Sequence, residues 1–94
     1  MDGNRVWKNS LTIMKKKIEK AIREKEKYIE DKIKSIQKTL REMRQWWKKR
    51  DEHEVYMRAA WISAETIAIR EAIDSIWTLV DLWEELSKDE KKQN

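Results

Sequence analysis

The sequence predicts an all-α protein, an antiparallel bundle of long helices, on three observations. The chain of 94 residues has a single Gly, at position 3, and no Pro, so the usual helix breakers are almost absent. Its apolar residues recur at intervals of three and four. Its two halves carry opposite net charge. This length suits one domain, so we expect residues 1–94 to form a single helical bundle.

The first helix is predicted over about residues 5–49. We expect Asn4 to be its N-cap, or Asn9 or Ser10 if the first turn frays. Five charged residues at 23–27 interrupt the apolar pattern but lack turn chemistry, so we favour a continuous helix over one bent or broken there. The apolar positions span an arc of about 100°, a narrow seam for one or two neighbouring helices. They are Trp7, Leu11, Met14, Ile18, Ile22, Ile29, Ile33, Ile36, Leu40, Met43 and Trp47.

The chain is predicted to turn near Asp51. Three cations at 48–50 suit a helix C-terminus, where the macrodipole is negative. Asp51 can then be the N-cap of the next helix, with Glu54 three residues later, as in a capping box. The second helix is therefore expected over about residues 52–87.

The second helix has an apolar arc wider than half its circumference. Because one narrow seam cannot cover this arc, we expect a third helix, or a homodimer through the apolar arc of residues 55–86. Truncating Ile73, at the centre of the first stripe, should cost about 2–5 kcal/mol if that stripe is core. The first stripe is Val55, Ala59, Ile62, Thr66, Ile69, Ile73, Ile76, Val80 and Trp83; the second is Met57, Trp61, Ala64, Ala68, Ala72, Leu79, Leu82 and Leu86.

The two halves of the chain are matched in charge. Residues 1–50 carry a net charge of +10 and residues 51–94 carry −6. We interpret this as pairing between the helices, which selects orientation more than it adds stability. Within the second helix, Arg58 and Glu65 are interpreted as rim charges whose apolar stems pack against the core.

Aromatic residues give one alternative functional hypothesis. Trp7, Trp47, Trp61 and Trp83 lie on or beside the apolar stripes and are expected in the core. A mixed aromatic and basic cluster lies close to the turn and could stack on bases and bind phosphates. This less favoured nucleic-acid site would consist of Arg41, Arg44, Trp46, Trp47, Lys48, Lys49 and Arg50.

No motif in the sequence indicates catalysis. His53 is the only histidine and there is no cysteine, so a two-histidine zinc site and a thiolate site are excluded within one chain. The single Gly excludes a Gly-rich phosphate loop. We expect no catalytic, cofactor-binding or metal-binding residues, no small-molecule substrate and no membrane contact. The chain is expected to be soluble, and no targeting segment indicates its location.

The whole chain resembles de novo designed helical proteins. The likeness lies in the body free of helix breakers, polar faces rich in Lys and Glu, a core of Ile, Leu, Ala and Trp, and a dispensable tail at 87–94. It implies a scaffold without ligand or reaction. The alternative is a helix-mediated interaction module that forms homo- or hetero-oligomers.

Overall fold

The protein is a hairpin of two long α-helices in the computed structural model, which describes residues 2–93 and the side chains of residues 9–91. Helix α1 spans Asp2–Lys48 and helix α2 spans Glu52–Gln93. The helices pack against each other along a rod of 73 × 14 × 13 Å. The structure is 96% helical, and the all-α prediction is confirmed.

Helix α1 runs without a break through residues 23–27, as the absence of turn residues predicted. Within the described residues it begins at Asp2, so the predicted N-caps Asn4, Asn9 and Ser10 lie inside the helix, and that prediction is wrong. No third helix occurs in residues 2–93. The alternative of a third helix is therefore not realised in the described residues, and dimerisation stays a prediction.

The turn ends α1 with a left-handed residue that is not glycine. Arg50 has φ of 56°, and its N–H donates to the Trp47 carbonyl at 2.9 Å. The Asp51 N–H donates to the Trp46 carbonyl at 3.1 Å. These two bonds form a Schellman motif, which satisfies carbonyls at the end of α1.

Asp51 also begins α2, so one residue serves both helices. Its carboxylate accepts a hydrogen bond from the Glu54 N–H at 3.2 Å, and its carbonyl accepts one from the Val55 N–H at 3.2 Å. The predicted N-cap is therefore confirmed. The Glu54 side chain does not complete a capping box, because it binds Arg58 at 2.6 Å instead.

The two helices meet along positions seven residues apart, which we call the interhelical seam. Its α1 side is Leu11, Ile18, Lys32, Thr39 and Trp46, with the exposed Lys25 at the intervening heptad position. Its α2 side is Arg58, Glu65, Ala72, Leu79 and Leu86. Seven-residue spacing keeps a contact in line along two paired helices. The buried apolar cluster of this seam lies at the open end of the hairpin, where Leu11, Ile18 and Leu86 pack with Ile22, Leu79 and Trp83.

The first stripe of α2 does not face α1, which corrects the expectation for Ile73. Helix α1 packs on Ala72 and Leu79, each one residue before a member of the first stripe. Ile73 therefore stays 40% exposed, and Val80 is exposed to a similar degree. In the single hairpin, Ile73→Ala is therefore not expected to lower the free energy of unfolding by the amount typical of a buried truncation. As expected, α1 does not cover the whole apolar arc of α2, and large apolar side chains remain exposed along that helix.

The tryptophans are less buried than predicted. Trp83 is half-buried and packs on the apolar cluster, as expected. Trp47 and Trp61 are each more than half exposed, so their core assignment is wrong. Both lie beside the interhelical seam, at positions that the other helix of the hairpin does not cover. The Trp7 side chain lies outside the described residues.

Helix α2 extends beyond its predicted end at residue 87. It continues to Gln93, and Lys15 of α1 binds Glu90 with an N–O distance of 3.1 Å. The segment assigned to a dispensable tail is thus paired with α1 at least as far as Glu90. The extension occurs because α1 begins early enough in the chain to lie opposite it.

We predict that Arg50→Gly is more stable than Arg50→Ala by about 1 kcal/mol, because only glycine is free of the Cβ penalty at positive φ. Both variants lose the Arg50 guanidinium, so the comparison isolates the backbone. Urea unfolding followed by circular dichroism measures the difference. Equal stability would contradict the left-handed conformation of residue 50.

We predict that Leu11→Ala lowers the free energy of unfolding by about 2–5 kcal/mol, because Leu11 is fully buried in the cluster that holds the open end. Leu82→Ala is the matched control, since Leu82 is about half exposed. It should cost less than about 1 kcal/mol. The same denaturant titration measures both variants, and a larger loss for Leu82→Ala would show that the seam is misplaced.

Candidate helix-association surface

An apolar stripe on α2 is only partly covered by α1. Its positions recur at alternating intervals of four and three residues from Val55 to Trp83, and four of them come one residue after a seam residue of α2. No position of this stripe is charged. Such a repeat over four heptads is typical of a helix that packs against another helix along its length. Ala59, Thr66, Ile73 and Val80 of the stripe are exposed.

Helix α1 adds a shorter stripe on the same side of the hairpin. Ile33, Leu40 and Trp47 are seven residues apart, are each exposed by two-fifths or more, and also follow the seam by one residue. In an antiparallel pair, positions displaced in this way lie on the same side of both helices. Trp47 accordingly lines one hollow with Val55 and Tyr56.

We call these two stripes together the apolar face. On α1 it includes Ile33, Leu40 and Trp47, and on α2 it includes Val55, Ala59, Ile62, Thr66, Ile69, Ile73, Ile76 and Val80. The apolar face falls largely within the arc 55–86 predicted for self-association. Sequence reasoning missed the α1 contribution, because Ile33, Leu40 and Trp47 were assigned to the seam toward α2.

Charged residues fix the interhelical seam beside the apolar face. The buried Glu65 carboxylate, 6% exposed, accepts a hydrogen bond from Lys32 Nζ at 3.2 Å. Arg58 binds Glu42 across the helices at 3.3 Å. Arg58 and Glu65 therefore each pair with α1 rather than with each other. Arg58 is half-buried at the end of the seam nearest the turn, and Glu65 is buried inside the seam rather than on its rim.

The Lys32 ammonium is stabilised in its charged form. The hydrogen bond from Lys32 to Glu65 is the main cause that raises the pKa of Lys32 above its ordinary value of 10.5, and loss of hydration acts in the opposite direction. The negative charge of Glu65 adds to the effect, with a smaller part from Tyr28. The seam thus contains a basic residue of α1 held by an acidic residue of α2.

A second charged cluster holds the open end of the hairpin. Lys15 Nζ lies 4.3 Å from the Trp83 ring centroid and binds Glu90. The Trp83 indole N–H donates to a Glu19 carboxylate oxygen at 3.2 Å. Lys15 to Glu90 and Lys32 to Glu65 both join a cation of α1 to a carboxylate of α2, the direction that the charge split predicted.

The aromatic and basic residues near the turn already bind one another. Lys49 Nζ lies 4.9 Å from the Trp46 ring centroid, and the Arg58 guanidinium lies 5.9 Å from the same ring. The Arg50 guanidinium lies 4.6 Å from the Trp47 ring. These cation–π contacts occupy both rings that a nucleic-acid base would stack on. The nucleic-acid hypothesis for residues 41–50 stays a prediction.

The described residues contain no other arrangement suited to chemistry. No group of three or more His, Cys, Asp or Glu side chains among them could hold a metal ion. Neither described helix is long and apolar enough to cross a membrane. His53 is exposed beside the turn. Buried Ser87 Oγ lacks a hydrogen-bond partner, but it lies alone beside the apolar cluster.

No protein-family model, curated protein or solved structure matches the chain.

We predict that Glu65→Gln removes a pH-dependent part of the stability. Because the pKa of Lys32 is raised in the folded state, its contribution is fully present below pH 10.5 and is lost as the pH rises through the folded pKa. The difference in unfolding free energy between wild type and Glu65→Gln should therefore shrink above about pH 10.5.

Urea titrations of both proteins across this range measure the difference. The other ionisable groups are the same in both proteins and cancel in the comparison. Glu71→Gln, a change at an exposed carboxylate of the same helix, is the control and should show no such trend. A wild-type advantage that grows with alkaline pH would contradict the Lys32 to Glu65 bond.

Proposed function

We propose that this chain is a structural helical hairpin that acts by packing its apolar face against another helical surface. The observation that carries the proposal is the charge-free stripe of α2, which extends over four heptads and is only partly covered by α1, since Ala59, Thr66, Ile73 and Val80 are exposed. A helical partner with a matching stripe would pack on it as in a coiled coil. The role is that of a scaffold or interaction module, without catalysis.

The size of the partly covered stripe supports association. Residues 55–83 span about 40 Å of helix. With the α1 stripe beside it, the face is about two helices wide, or about 20 Å. Because the α1 stripe covers only about 20 Å of that length, the footprint is about 600 Å², approaching the roughly 800 Å² that one partner buries in a standard interface. Such a surface lies at the upper end of the apolar patches usual on monomers, about 300–600 Å².

The composition of the chain is consistent with a scaffold of designed type. The described helices lack an irregular segment longer than the turn at residues 49–51, so there is little loop surface on which a ligand site could be built. The helical body carries its polar residues on the outside and ion pairs across the seam. These features fit a molecule whose purpose is to fold and assemble.

We predict that the thermal midpoint, Tm, of the protein rises with protein concentration, because association stabilises the folded hairpin by mass action. Ile73→Glu places a carboxylate in the apolar face and should make Tm independent of concentration. Ile67→Glu is the matched control, since Ile67 is also exposed on α2 but lies off the apolar face. It should behave as wild type.

Circular dichroism melts between about 1 and 100 µM, with the mass measured by light scattering, test this prediction. Ile73 lies outside the interhelical seam, so the variant hairpin should remain helical. A wild-type protein that is monomeric with a constant Tm over this range would overturn the proposed self-association. Equal effects of the two substitutions would show that the apolar face is not the contact surface.

A further inference from the structure

We propose that the partner of the apolar face is a second copy of this chain, with α2 packed antiparallel on α2 of that copy. This inference rests on the association proposed above. The stripe of α2 covers four heptads, whereas that of α1 covers only residues 33–47. Within this chain, only α2 offers a stripe long enough to cover α2. The two hairpins then form a four-helix bundle with the α2 helices in contact.

The two most exposed aromatic residues determine the orientation. Among the described side chains, Tyr56 is 75% exposed and Trp77 is 70% exposed. They lie on the same flank of the stripe, each one residue after a stripe position, and they are three heptads apart. In an antiparallel pair, equivalent flanks meet, so Tyr56 of each copy lies beside Trp77 of the other. In a parallel pair each ring would stay on the outside.

A hollow beside Trp77 has room for the incoming Tyr56 ring. Its volume is about 290 Å³, and it is lined by Ile76, Trp77, Val80, Asp81 and Glu84. This space opens on α2 alone, on the flank of the stripe that α1 leaves uncovered. An aromatic ring from a second helix that enters such a hollow is the knob-into-hole contact of paired helices. The hollow and the exposed ring are thus complementary parts of one surface.

The register that joins Tyr56 to Trp77 also matches the stripe to itself. Arg70 then lies opposite Ser63 of the second copy, whereas a shift by one heptad would place two Arg70 side chains opposite each other. Like charges at such positions oppose pairing. The resulting layers join Val55 to Val80, Ala59 to Ile76, Ile62 to Ile73 and Thr66 to Ile69, each across the two copies.

Charge at the ends of the stripe favours the same orientation. The turn of each hairpin carries Lys48, Lys49 and Arg50, and the far part of α2 carries Glu84 and Glu85. The antiparallel arrangement places each cationic turn beside the acidic segment of the other copy. A parallel arrangement would place the two cationic turns together. Such complementarity selects the orientation of a pair even where it adds little affinity.

Spin labels on single cysteines measure the orientation, because the chain has no cysteine of its own. Labels are placed one at a time at Ala60, Ile67 and Asp74, which are exposed and outside the stripe. In the proposed register the distance between the two copies is shortest at residue 67. At residues 60 and 74 the labels are offset along the axis by about 20 Å. A parallel dimer gives similar distances at all three positions.

The contact itself is tested by Tyr56→Ala and Trp77→Ala. Each should raise the dissociation constant of the dimer by about tenfold, and the two effects should not add, because they remove the same contact. Trp61→Ala is the matched control, since Trp61 is also more than half exposed but lies off the apolar face. It should leave the dissociation constant within about twofold of wild type. Sedimentation equilibrium measures wild type, the three single variants and the Tyr56→Ala/Trp77→Ala double variant.

The outcomes separate this inference from the association on which it depends. A dimer with equal label distances at all three positions overturns the antiparallel arrangement and leaves association standing. A shortest distance away from residue 67, or additive effects of Tyr56→Ala and Trp77→Ala, overturns the proposed register. A monomer by light scattering overturns both the inference and the self-association.

Discussion

The structure depends on one geometric constraint: a helix packs a single partner along a narrow line of its surface. Helix α1 has apolar residues sufficient for that line and little more, while α2 is apolar over more than half its circumference. When the two meet, α1 covers only the line through Ala72, Leu79 and Leu86. The stripe one residue further along α2 is therefore only partly covered, and the apolar face follows from this mismatch.

The turn shows how a chain nearly without glycine reverses direction. The left-handed position that glycine usually takes is taken by Arg50. The next residue, Asp51, donates its N–H to a carbonyl at the end of α1 and caps the start of α2. The Arg50 guanidinium lies over the Trp47 ring, so the side chain gains a contact that glycine could not make. Two short bonding patterns thus take the place of a longer loop.

Much of the fold could be predicted from local signals, because local chemistry determines it. The N-cap at Asp51, the unbroken passage through residues 23–27 and the antiparallel hairpin all follow from nearby residues and net charge. The face of α2 that meets α1 could not be predicted, since Ile73 and Ala72 are neighbours and both stripes are apolar. Ion pairs of Arg58 and Glu65 with α1 mark the chosen line, and these charges were placed on the rim because their partners on α1 were not visible in the sequence.

The distribution of contacts along the hairpin also implies an order of folding. Arg58 meets Glu42 close to the turn, Lys32 meets Glu65 farther along, and Lys15 meets Glu90 at the open end, so successive contacts close ever larger loops. Local contacts form at lower entropic cost than distant ones, so we expect the contacts nearest the turn to form first and those at the open end to form last. The buried cluster around Leu11 and Leu86 lies farthest from the turn, so fraying of the open end is resisted by the best-packed part of the molecule.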